Sequence, residues 1–123
     1  MDNIQFLWIP GPLPGLNDLQ ASRNHWSVNK LKKRWYEIIA VCVKQAALRP
    51  VKVAQINFFW VERNKRRDKD NIAAGGRKLI FDGLIKAEIL KDDGWDEIKG
   101  WGDAFSLNKE LPGVKLEIYE VGE

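Results

Sequence analysis

The chain has one cysteine, one histidine and one methionine in 123 residues. A single thiol, Cys42, cannot close an internal disulfide, and one thiol with one imidazole cannot build a Cys/His zinc cluster. The sole histidine, His25, has no serine or cysteine partner that the sequence identifies, which argues against a triad hydrolase. No apolar run approaches a membrane span, and no basic segment followed by an apolar one opens the chain. These absences predict a cytoplasmic protein with no membrane partner and no small-molecule organic cofactor.

What is present describes one folding unit. At 123 residues the chain suits one domain, 1–123, with a real core but no room for a second. Hydrophobic residues at 45% and charged residues at 30% exclude a disordered chain. A net charge of +3 is too mild to identify a partner. The clustering of that charge is more informative.

Residues 4–9 read as a first strand, stopped by Pro10, Pro12 and Pro14, which cannot donate to a ladder. The polar stretch 16–26 reads as a long irregular loop, in which Arg23, Asn24 and His25 either contact phosphate or are simply solvated. From Ser27, a plausible N-cap, to Leu48 the spacing is helical. Leu31, Trp35, Ile38, Ile39, Cys42, Val43 and Ala46 form one stripe, so Cys42 is expected as a core thiol. Lys30, Lys32, Lys33 and Arg34 either face DNA or form a solvated face. Residues 52–61 read as a central strand.

A second helix is predicted over 71–87, with Gly75-Gly76 interrupting it or delaying its start. Glu97–Leu107 and Val114–Val121 read as two strands closing the sheet, joined by a polar turn. Within the last, Val114, Leu116, Ile118 and Val121 are expected to face the core while Lys115, Glu117 and Tyr119 are wet. The expected fold is α/β (α+β), a single small domain. It has a mixed β-sheet and two main helices in the order β-α-β-α-β-β.

The chemistry concentrates between the central strand and the second helix, in Lys65-Arg66-Arg67-Asp68-Lys69-Asp70-Asn71. On an extended segment, Asp68 and Asp70 project from one face. Two hard oxygen donors, with a third carboxylate from another loop, form a minimal Mg²⁺ or Mn²⁺ site. The flanking Arg63, Lys65, Arg66, Arg67 and Lys69 suit a phosphodiester backbone. The bland alternative is that Asp70 or Asn71 caps the helix. The turn Lys91-Asp92-Asp93-Gly94-Trp95 follows a helix about 22 Å long, so its loop must fold back for Asp93 to meet Asp68. Of six tryptophans, Trp8, Trp35 and Trp60 fall on core faces. Trp26, Trp95 and Trp101 lie in or near loops, and Trp95 is the one placed for a nucleic-acid contact.

Arg67-Asp68-Lys69-Asp70-Asn71, then Phe81-Asp82-Gly83-Leu84, then Asp92-Asp93, resemble the signature of the RusA family of Holliday junction resolvases, especially its phage and prophage members. The likeness spans the chain but is specific only over 66–95. It implies a small homodimeric endonuclease that uses Mg²⁺ or Mn²⁺ to nick four-way DNA junctions symmetrically in recombination and repair. The family's three catalytic, metal-holding aspartates map to Asp68, Asp70 and Asp93, with Asp92 as fallback. Its catalytic lysine falls at Ala74 without a gap, and at Lys78 if an insertion is placed near Gly75-Gly76. Arg77 is a possible substitute, and Asp82 is a supporting carboxylate.

In the mechanism these residues allow, carboxylate-held metal activates water for phosphodiester hydrolysis. Lys78 neutralises charge or orients the water. Arg66, Arg67, Lys69, Arg77 and Lys33 contact DNA. Two rival readings stay open. One is a non-catalytic DNA-binding module; the other is a metal nuclease acting on flaps or single strands without junction preference.

Overall fold

A computed structural model of the chain describes residues 3–20 and 25–122. The elements run β1 (Ile4–Pro10), α1 (Leu16–Gln20), α2 (His25–Gln45), β2 (Ala54–Glu62), α3 (Lys69–Lys86), β3 (Ile98–Leu107) and β4 (Gly113–Glu120). They form a small single domain with a four-stranded mixed sheet, in the order β1-β4-β2-β3. The expected α+β class and element order hold, with α1 as an addition. No helix among the described residues is long and apolar enough to cross a membrane.

The sheet's register explains its core. Trp60 lies opposite Val114, Phe58 opposite Leu116 and Ile56 opposite Ile118. On the far side of β4, Leu7 pairs with Leu116 and Ile9 with Val114. All eight of these side chains are buried, because strand alternation turns them to one face. The other face carries Phe6, Phe59, Lys115 and Glu117, with the Lys115 ammonium over the Phe59 ring. The central strand therefore alternates strictly, buried and half-buried, from Ala54 to Glu62.

Strands β3 and β4 do not lie side by side. β4 inserts antiparallel between β1 and β2, while β3 lies parallel to β2 at the sheet's edge. A parallel neighbour needs a crossover, and α3 supplies it. β2, α3 and β3 thus form one β-α-β unit, whose strand ends open toward the start of α3. Ligand sites of α/β sheets collect at such ends.

Gly75 and Gly76 do not interrupt α3, which runs unbroken from Lys69 to Lys86. They are where other parts of the chain come closest to it. A Cβ on Gly75 would stand 2.3 Å from the backbone of Gly15 and Leu16, and one on Gly76 would stand 2.5 Å from the Trp60 ring. Their helix-propensity cost is outweighed by packing that no larger residue permits. Two other boundaries moved. α2 starts at His25, so Ser27 is inside the helix and not its N-cap. Leu16–Gln20 is a short helix and not an irregular loop, because the Asp18 carboxylate accepts the Gly15 N–H and Asn71 Oδ1 accepts the Asn17 N–H. Arg23 and Asn24 lie outside the described residues.

Candidate functional site

The chain leaves β2 at Glu62 and enters α3 at Lys69. Asp68 occupies the N-cap position with extended backbone, φ −69° and ψ 148°, yet its side chain makes no capping hydrogen bond. Asp70 lies in the first helical turn. The two carboxylates are therefore not paired by strand alternation, because one residue is extended and the other helical. They share a site because both line a cleft of about 990 Å³, together with Asn17, Asn64, Lys65, Lys69 and Asn71. Neither carboxylate has a hydrogen-bond or ion-pair partner among the described residues, and both are exposed. The positive end of α3 favours negative charge at this place.

The neighbouring arginine is spoken for. Arg67 grips Glu62 with two parallel bonds, Nε to Oε1 at 3.0 Å and Nη2 to Oε2 at 2.9 Å, while Nη1 donates to the Leu13 carbonyl at 2.8 Å. Asp18 stands 4.0 Å from the same Nη1. This fork closes the loop between β2 and α3 and ties it to the proline-rich turn, so it holds Asp68 in position. The side chains of Glu62 and Arg67 are 11% and 25% exposed. Arg67→Ala strands a mostly buried carboxylate and is expected to lose about 2–3 kcal/mol, read from urea unfolding midpoints. Arg67→Lys should recover little of it, since an ammonium cannot make the fork. A loss below about 0.5 kcal/mol would show that the fork is dispensable. Sequence reasoning missed Glu62. The available signal was the one charged residue of the strand, at its end and five before an arginine.

Arg77 is similarly committed. Its Nη1 donates to Asp103 Oδ2 at 2.6 Å, and its guanidinium lies 5.1 Å from the Trp101 ring centroid. The other oxygen of Asp103 accepts the Trp60 indole N–H at 2.9 Å. This set lets the buried Trp60 satisfy its donor and locks the edge strand to α3. Nothing in the sequence distinguished Asp103 from any other strand carboxylate.

Lys78 stands between two carboxylates, Asp82 at 3.4 Å and Asp93 at 3.5 Å. The charge on Asp82 is the main cause that raises the lysine above its ordinary range; partial burial opposes this and Asp93 adds to it. Lys78 is therefore protonated at neutral pH and unsuited to act as a base. The Asp92 side chain accepts the Asp93 N–H and closes its own turn, so Asp93 is the member of the pair that reaches inward.

Tyr36 donates to Asp82 at 3.2 Å. Burial first, and then the Asp82 charge and hydrogen bond, push its phenol up to about 12. Because the folded value exceeds the unfolded one near 10, this contact stabilises fully below pH 10 and is lost between about pH 10 and 12. A spectrophotometric titration at alkaline pH should show a tyrosine phase near 12. That phase should vanish in Tyr36→Phe; its persistence there would assign it elsewhere.

The structure thus forms two separate centres. Asp68 and Asp70 share the cleft with Lys65 and Lys69, while Asp93 stays with Lys78 and Asp82. Lys78 is eight residues along α3 from Asp70, or about 12 Å at the helical rise. Among the described residues no group of three or more His, Cys, Asp or Glu side chains is placed to hold a metal ion. Asp68 and Asp70 alone do not make an all-protein cage. They do fit Mg²⁺ in its common mode, one or two carboxylates with the remaining positions left to water and substrate phosphate. Arg66 is exposed, its backbone N–H donating to Asn64. Lys33 is exposed on α2 and does not line the cleft. Cys42 is half-buried, and burial raises its thiol, which suits packing and not attack. Trp95 is 94% exposed beside Asp93. In comparisons with known proteins, no family model matches the chain and no curated protein matches it.

Proposed function

We propose that the chain is a metal-dependent endodeoxyribonuclease that resolves four-way DNA junctions as a homodimer, by paired nicks in opposed strands. The observation that carries this reading is the state of Asp68 and Asp70. Arg67, Arg77 and Lys78 are matched by carboxylates, whereas these two aspartates face a cleft with no partner among the described residues. Asp68 takes the capping position without capping, so helix capping does not account for it. The resemblance of Arg67 through Asn71 to the RusA signature supports the same assignment.

Asp68 and Asp70 would hold Mg²⁺ or Mn²⁺. When bound, the ion supplies Lewis-acid polarisation of the phosphate and acidifies a water. Lys65 and Lys69, which flank the pair and line the cleft, hold backbone phosphates and position the strand without reading bases. Arg66 adds positive charge at the rim. Arg67 acts indirectly, by fixing the loop that carries Asp68. Asp93 and Lys78 tie the turn at residues 91–95 to α3, with Lys78 shared between Asp93 and Asp82. A twofold dimer suits the symmetry of a four-way junction.

The test is cleavage of an end-labelled synthetic four-way junction against a matched linear duplex, with Mg²⁺ and with EDTA. Symmetric, metal-dependent nicks on the junction alone are expected. Equal cutting of flaps or single strands would keep the metal site and discard the junction preference. One observation favours a second reading, a DNA-binding module without catalysis: Asp93 does not join the other two aspartates. Tight junction binding with no metal-dependent cut would establish that reading instead.

A further inference from the structure

The cleft beside Asp68 and Asp70 has more in it than phosphate binding requires. Besides its polar rim it is lined by Leu16, Ile72, Ala74, Phe105 and Leu107. Its volume, about 990 Å³, is at the upper end for ligand pockets. Phe105 is the informative residue. It is paired across the ladder with Trp60, so both rings project to the helix side of the sheet. Trp60 lies under Gly76 and is buried. Phe105 is one strand nearer the edge and only partly covered, and the Lys69 ammonium lies over its ring, 5.6 Å from the centroid. Leu107, two residues on, is 52% exposed. A groove built for a sugar-phosphate chain needs cations and donors; it gains nothing from an aromatic ring in its wall whose face is held only by a lysine that a phosphate would draw aside.

We infer that this part of the cleft seats one unpaired nucleobase of the bound strand, stacked on Phe105, with Lys69 taking the adjoining phosphate. The inference rests on the nucleic-acid reading above and deepens it. Lys69 stands in sequence between Asp68 and Asp70, so a phosphate held by its ammonium lies next to the carboxylate pair. The seated base is then a neighbour of the scissile phosphate. A base inside a continuous duplex is unavailable, because it must first leave its stack and its pair. At a branch point, flap or single strand that cost is already met in part. The cleft thereby favours DNA with a disrupted stack at the cut, and stacking makes the choice tolerant of base identity.

The experiment measures binding without cleavage, in EDTA, by fluorescence anisotropy. The probes are a fluorescein-labelled single strand of mixed sequence and the same strand annealed to its complement. The full chain is compared with Phe105→Ala, Phe105→Leu and Phe105→Trp, each checked by thermal melt. Phe105→Ala and Phe105→Leu are expected to weaken single-strand binding on the order of ten- to a hundredfold. Duplex binding should change little. Phe105→Trp keeps a stacking face and should bind like the parent.

Phe105→Leu binding single strands as well as the parent would overturn the seat, since apolar bulk alone would then suffice. Equal losses on both probes would overturn it too. If the parent cuts junctions with Mg²⁺ while Phe105→Ala binds undiminished, the seat falls and the nuclease stands. If the parent binds no DNA, both fall.

Discussion

Asp70→Asn is expected to abolish metal-dependent cleavage of a labelled four-way junction, by on the order of a thousandfold or more, while leaving junction binding intact or tighter. Asparagine keeps the shape of aspartate but loses the charge and one hard oxygen donor, so an ion held by the proposed pair would lose half of its protein carboxylates. If the cleft receives a polyanion as proposed, removing a negative charge from it reduces repulsion, hence the unchanged or improved binding. The variant should fold normally. Asp70 is exposed and makes no hydrogen bond or ion pair among the described residues that the amide would break, which leaves only a weakened interaction with the helix end, about 0.3–1 kcal/mol.

Glu110→Gln is the matched control. It removes a carboxylate from the exposed turn before β4 that does not line the cleft, and should cleave like the parent. Full cleavage by Asp70→Asn would remove Asp70 from the metal site. Loss of binding together with cleavage would point to a structural role instead.

Gly75→Ala is expected to destabilise the fold by about 3 kcal/mol, at the upper end of overpacking effects, and to lower the melting temperature by roughly 10 °C. Helix propensity alone predicts the opposite sign, a gain of about 1 kcal/mol for glycine to alanine. The geometry reverses it, because the new methyl would meet the Gly15 carbonyl carbon and the Leu16 nitrogen, each at 2.3 Å. Those are backbone atoms, so no rotamer change relieves the clash; α1 must move off α3. Gly76→Ala meets the Trp60 ring at 2.5 Å, and that ring is held in turn by Asp103.

Displacing α1 also moves Asn17 and Leu16, which line the cleft, so Gly75→Ala should impair DNA binding as well as stability. Thermal melts of the two variants beside the parent decide the matter. A higher melting temperature for Gly75→Ala would mean that propensity wins and that α1 is loosely docked.

The reading of the sequence succeeded where a local pattern carries its own cause. Alternation in 114–119 identified the buried Val114, Leu116 and Ile118, while Val121, expected with them, is half-buried beyond the strand. The stripe from Leu31 to Ala46 identified α2, although Ala46 lies exposed past its end. Asp68 and Asp70 stood out because two carboxylates inside a basic run have no cheap local explanation. It was less successful wherever the cause is distant. Gly75-Gly76 read as a helix breaker, because a sequence shows the propensity cost of glycine and hides the neighbour that makes its smallness necessary. Asn71 read as a possible cap, whereas its side chain accepts the Asn17 N–H from 54 residues away.

From the sequence alone came one α+β domain, its element order, its two main helices and the carboxylate pair between β2 and α3. Each follows from residues within a few positions of one another, where hydrophobic period, turn chemistry and charge spacing act directly on the backbone. Only the tertiary structure decided which charges are free. Arg67, Arg77 and Lys78 look as available as Lys65 and Lys69 when written in a row, yet Glu62, Asp103, Asp82 and Asp93 have claimed them. A charge costs free energy when it leaves water unpaired, so partners are chosen by proximity in the folded chain. That proximity also keeps Asp93 with Lys78 and leaves Asp68 and Asp70 together, facing the cleft.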